Sequence, residues 1–212
     1  MTRSFEIWAW SGAAAAIAAV TTLWMPTRLL RLAELPKPSL AWKLGFIVSI
    51  GMGCIIADVV VRPSMPIAAM GISLLIAASV ATAWYDASYF LIPDLLPLAI
   101  VIAALMLAYT GVITLSYWGA LLCAGLLAAL AWVWRRTHSE EALGFGDVKL
   151  AAALGLMLGV ERSAWMLATA ASSGALWAIT VARIRSTREA PLIPFGLFLA
   201  ICGASLILSS LR

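Results

Sequence analysis

The sequence predicts an all-α, polytopic integral membrane protein of about eight transmembrane helices, and three observations carry that prediction. Of the 212 residues, 64% are hydrophobic and only 11% are charged, against about a quarter charged in a soluble domain. The mean hydropathy is +1.02. The apolar residues also fall in runs separated by short polar breaks; at roughly 20 residues per span, eight spans take about 160 residues and leave ~52 for all connections and termini. No soluble nucleotide-binding or receptor domain fits in that remainder, so any chemistry belongs to helix ends and short loops. The formal charge of +4 then reads as a topology signal and not as a nucleic-acid footprint.

The first span covers residues 7–25, with Trp8, Trp10 and Trp24 as interfacial anchors. Arg3 precedes it, but Glu6 interrupts the basic stretch and no small-x-small site precedes Pro26, so an uncleaved helix is expected rather than a signal peptide. Residues 43–61 form the second span and carry Asp58; with the basic loop between them, these two spans make an N-terminal unit, 1–65. The second unit, 66–212, holds spans at 66–85, 95–113, 117–134, 148–160, 164–183 and 192–211. Trp118, Trp132 and Trp134 mark the ends of the fifth. The sixth, 148–160, is too short for a fully lipid-exposed crossing and suggests an entry segment from the preceding loop. The loops at 26–42, 86–94, 135–147 and 184–191, with their flanks, collect ten Lys and Arg against four on the other side. The positive-inside rule therefore puts these loops in the cytoplasm and, with an even number of spans, both termini outside. Cys54, Cys123 and Cys202 lie inside spans with no partner at short spacing, so no zinc or disulfide framework is visible.

Ionisable groups at membrane depth are expensive and by default functional candidates, which makes the ten acids of this chain informative. Asp86 ends the third span in Ala83-Trp84-Tyr85-Asp86. Asp94 follows in Leu91-Ile92-Pro93-Asp94, and Asp147 closes Gly144-Phe145-Gly146-Asp147. A hairpin of two spans separates Asp86 from Asp147, so both carboxylates return to the cytoplasmic face at one depth. Two carboxyl groups sharing a site cannot both ionise cheaply and hold one proton between them. That suits aspartyl proteolysis: one takes a proton from the attacking water while the other donates to the peptide carbonyl. Gly144 and Gly146, lacking side chains, would admit an extended substrate and adopt the special dihedrals of a re-entrant turn. Plainer uses exist for the same residues. Asp86 and Asp147 could be helix-end residues, with Asp147 capping a helix that starts at Val148. Asp94 reads as an N-cap, Asp58 as hydrogen-bonded packing, and Lys149 as snorkelling to the interface, with a possible electrostatic influence on Asp147. His138 is the only histidine, so an HExxH zinc site is excluded, and Ser172 and Ser173 have no good histidine partner by sequence.

Three stretches resemble the type IV prepilin peptidases, the GxGD-type membrane aspartyl proteases. Asp86 to Asp94 is similar to the family's first motif, an Asp followed some seven residues later by Pro and then Asp or Asn. Gly144 to Leu150, GFGDVKL, is similar to its second, and Pro191 to Ala200 resembles a proline-phenylalanine-glycine segment. The resemblance covers residues 66 to 211. It implies a six-helix catalytic core, with Asp86 and Asp147 as the catalytic pair on the cytoplasmic side of the bacterial inner membrane. No metal or organic cofactor is expected. The implied partner is a prepilin or pseudopilin-like precursor, cut between its basic leader and its hydrophobic helix. Such a leader stays on the cytoplasmic side while the apolar helix is held in lipid, and Glu140, Glu141 and Asp94 would receive its Lys residues. Many members add a methyltransferase activity associated with CxxC pairs in the loop after the first helix. Here Pro26 to Trp42 contains no cysteine, which implies a peptidase-only form. The rival from another class is a small proton-coupled transporter or channel with Asp58, Asp86 and Asp147 as its proton path; a non-catalytic subunit that holds pilin-like helices is a third reading.

Overall fold

A computed structural model describes residues 65–137, 143–185 and 193–211. The first two predicted spans, with Asp58, and the loop residues His138, Glu140 and Glu141 lie outside them. The described chain is helical: α1 (Pro66–Tyr89), α2 (Leu95–Tyr109), α3 (Tyr117–Thr137), α4 (Phe145–Arg185) and α5 (Phe195–Ser210). Helices α1, α3 and α4 are long and apolar enough to cross a membrane, and α2 and α5 are shorter apolar helices.

Helix α4 takes in both the sixth and the seventh predicted spans. The Glu161-Arg162-Ser163 stretch, expected to break the chain, stays helical because Glu161 and Arg162 are exposed and need no burial. The break falls instead at Gly159, φ 75° and ψ 176°, a combination essentially confined to glycine. In a straight helix rising 1.5 Å per residue, Leu154 and Met166 would stand ~18 Å apart. Both nevertheless pack on Gly203 of α5, with Leu154 Cδ1 2.7 Å and Met166 Sδ 3.0 Å from where a Cβ on that glycine would sit. Asp147 meets Gly196 near the start of α5, and Gly174 meets Phe195 and Phe198 there as well. The arms 145–158 and 160–185 thus fold back on each other, the first running parallel to α5 and the second antiparallel to it.

Helix α1 packs on α2 and α5, while α4 packs on α2, α3 and α5, so α1, α2, α4 and α5 close a ring with α3 outside it. Lipid tails are as apolar as leucine, so helix association in a membrane depends on close van der Waals packing between small residues. Gly155-Leu156-Met157-Leu158-Gly159 is a GxxxG stripe, and Gly119 of α3 lies directly against the backbone of both its glycines. Around it α3 buries only Gly119, Cys123 and Leu127. Its Trp118, Leu121, Leu130, Trp132 and Trp134 are exposed, as a lipid-facing helix requires, and the Arg136 guanidinium stacks 4.5 Å over the Trp132 ring.

Chain direction then sorts the ends. The α3 start meets the α4 bend through Gly119, so its Arg135 and Arg136 lie at the opposite end, with the α4 start. Ile92, between α1 and α2, packs there against Gly146 and Gly196. This end gathers the end of α1 and the starts of α2, α4 and α5, and with them the aspartates.

Candidate active site

Helix α1 runs past the expected limit at residue 85, so Asp86 sits in its last turn. Phe90, in the left-handed region at φ 52°, closes the helix by donating its N–H to the Asp86 carbonyl at 3.0 Å. Helix α4 begins at Phe145, three residues before the expected start, and Asp147 lies inside its first turn with its N–H donating to Gly144 O at 3.1 Å. Asp147 is therefore not the cap of a helix starting at Val148. Both side chains are buried, Asp86 at 5% and Asp147 at 9% exposure.

The two carboxyl groups meet over Gly196. Asp86 Cγ and Asp147 Oδ1 each lie 3.2 Å from the position a Cβ on Gly196 would occupy, so they are no further from one another than twice that distance. Asp86 Oδ2 accepts the N–H of Leu197 at 2.9 Å. The residue before α5, Pro194, supplies no side-chain cap; a carboxylate from α1 instead satisfies one of the free N–H groups of α5 and sits at its positive end. Asp147 Oδ1 is buried with no hydrogen-bond partner among the described residues. One carboxyl is thus held by a backbone donor while the other turns a free oxygen toward the same glycine. A proton held between them removes the cost of a second buried charge.

Gly196 is the part of this site that sequence reasoning missed. It stands in the proline-phenylalanine-glycine segment, but the use of its missing side chain is visible only once α1, α4 and α5 are assembled. The GxGD glycines differ from expectation. Among the described residues positive φ at glycine occurs only at Gly111 and Gly159, so an ordinary helix start replaces the re-entrant turn expected at Gly144 and Gly146. A Cβ on half-buried Gly146 would fall 2.9 Å from Ile92 Cβ, so the missing side chain lets the GFGD segment pack closely on the α1–α2 connection. Gly144 is exposed beside Asp147 Oδ2.

Asp94 occupies the N-cap position of α2 but makes no side-chain cap bond. Its carboxylate pairs with Lys149 Nζ at 2.7 Å, and Lys149 also lies 4.9 Å over the Phe145 ring. Lys149 therefore does not simply snorkel to the interface: it ties the Asp94 segment to the GFGD segment. Among the described residues no three His, Cys, Asp or Glu side chains converge as a metal site would require.

A profile of the type IV leader peptidase family matches residues 73–179, about half of the chain and the stretch that contains both aspartates. The chain belongs to the type IV leader peptidase family. It is 32% identical over 127 residues to a prepilin leader peptidase/N-methyltransferase of Aeromonas salmonicida, a match covering 58% of this chain and 44% of the relative. A Burkholderia pseudomallei protein of the same description is 34% identical over 143 residues, covering 62% and 43%. Leader peptidase HopD of Escherichia coli is 32% identical over 132 residues, covering 56% of this chain and 79% of HopD, a match that fits a peptidase-only form. The chain spans less than half the length of the Aeromonas and Burkholderia relatives it matches. No solved structure matches it. Membership and the apolar helices together make this leader peptidase relative a multi-pass membrane protein.

Proposed function

We propose that the protein is a membrane aspartyl endopeptidase that removes the basic leader from prepilin or pseudopilin-like precursors. The observation that carries the proposal is the convergence of two buried carboxyl groups, Asp86 and Asp147, on Gly196. The ionised member takes a proton from water as it attacks the scissile carbonyl, and the protonated member donates to the carbonyl oxygen; the two roles belong to the pair and not to fixed residues. In this reading both arms of α4 cross the membrane, giving the region from residue 66 a six-helix core. The active site faces the cytoplasm across the bacterial inner membrane, since Arg135, Arg136 and Lys149 gather at the same end as the aspartates. Exposed Gly144, with Glu140 and Glu141 shortly before it in the sequence, receives the basic leader; Asp94 takes part only if its pair with Lys149 opens.

Mass measurement of a prepilin incubated with the Asp86→Asn and Asp147→Asn variants tests the proposal. Both variants are expected to lose cleavage; asparagine in place of Asp86 still offers an oxygen to the Leu197 N–H, so the loss in that variant reports chemistry rather than folding. Full activity in either would overturn the assignment.

A further inference from the structure

We infer that the groove between α1 and α5 receives the apolar helix of the precursor, a reading that rests on the peptidase function proposed above. The groove holds about 490 Å³, and none of its lining residues is charged. Its α1 wall includes the small residues Ser79, Ala83 and Ala87 beside the larger Trp84, and its α5 wall includes Leu197 and Ala204. The i, i+4 spacing along α1 puts small side chains on one face, which lets a third helix approach as closely as membrane helices pack. Its upper end adjoins the carboxyl pair: Ala87 follows Asp86 in the chain, and Leu197 donates the hydrogen bond that holds Asp86 Oδ2.

That continuity selects the occupant. A precursor cut at its leader presents an apolar helix beginning close to the scissile bond, preceded by a basic segment. An uncharged groove that ends one residue from Asp86 suits the apolar helix and sets its first turn beside the carboxyl pair. From Leu197 to Leu208 the groove wall runs about 16 Å at the helical rise, so it accommodates roughly the first three turns after the cut and leaves the rest of the helix in lipid. A second groove, beside α2 and α4, carries the paired Asp94 and Lys149 in its lining and so lacks the uncharged wall that suits an apolar helix.

Two arms test the inference with the full chain in liposomes. A photoreactive residue at Ala204, in the Asp147→Asn background that leaves the precursor uncut, should capture a type IV prepilin within the first three turns of its helix; the same probe at exposed Ile102 on α2 should not. Capture at Ile102 to the same extent, or capture at Ala204 only of residues 1–64 or of a second copy of this protein, overturns the groove. In the second arm Ala204→Phe, which fills the groove without touching the aspartates, should raise KM for the full prepilin about tenfold with kcat little changed, the pattern of lost ground-state binding. It should leave cleavage of a peptide ending just past the scissile bond unaffected. If the unsubstituted protein cuts neither substrate, the peptidase reading fails; if it cuts both and Ala204→Phe treats them alike, only the groove fails.

Discussion

Gly196→Ala is the most direct probe of how the aspartates are held. A Cβ there would fall 2.5 Å from Ile92 Cδ1, 3.2 Å from Asp86 Cγ and 3.2 Å from Asp147 Oδ1. Ile92 Cδ1 is the free end of a flexible side chain and can rotate away. The carboxyl groups cannot move so easily, because one is anchored on the Leu197 N–H and both are closed in by the surrounding helices. They must spread by a few tenths of an ångström, and where ~1 Å of misplacement costs on the order of a hundredfold in rate, kcat should fall about tenfold. Overpacking should also cost about 1–3 kcal/mol of stability, so the rate loss needs a control. Gly203→Ala supplies it: its Cβ would press on Leu154 and Met166 in the same α4–α5 seam, far from the carboxyl groups. Single-turnover cleavage of prepilin, measured beside unfolding in detergent, separates the two effects. Comparable destabilisation in both variants with a rate loss in Gly196→Ala alone is the expected result. Unchanged kcat in Gly196→Ala, or an equal loss in Gly203→Ala, refutes the reasoning.

Gly155→Ala should destabilise the α3–α4 contact by about 1–3 kcal/mol, because the new Cβ would meet Gly119 O, a backbone atom that cannot rotate aside; unfolding in detergent reads it. Gly159→Ala places a side chain at φ 75° and ψ 176° and should cost about 1–3 kcal/mol, seen as earlier unfolding and faster proteolysis at the bend. The Asp94–Lys149 pair, with side chains 75% and 37% exposed, should couple by no more than about 1 kcal/mol in a double-mutant cycle, and the coupling should shrink as salt is raised.

Helix starts at 66, 95 and 117 were legible in the sequence because a chain in lipid must satisfy its backbone hydrogen bonds within helices, so apolar runs and their polar breaks map onto rods. The reversal between the arms of α4 was legible only approximately. Charge at Glu161 and Arg162 looked like a loop, yet exposed charges are compatible with a helix, and the turn needed a residue able to take φ 75°. Gly159 was available two positions before the expected break, and its second use, as part of the GxxxG contact with Gly119, could not be seen without the fold.

The same distinction separates the aspartates from their support. Asp86 and Asp147 stood out because an ionisable group in an apolar segment is expensive and asks for a partner, and an even number of crossings between them put them at one end. What holds them does not stand out, because it is made of backbone and of absent atoms: the Leu197 N–H that fixes Asp86 and the missing Cβ of Gly196 that lets Asp147 approach it. Both come from the start of α5, about 110 residues along the chain from Asp86. Asp86 serves α5 as well, satisfying a donor that Pro194 leaves open. The cap of α5 and the proposed catalytic role therefore fall to one group, and the plainer reading of Asp86 as a helix-end residue does not compete with the proposal. A carboxyl that must stay on the Leu197 N–H is one that cannot drift from its partner across Gly196.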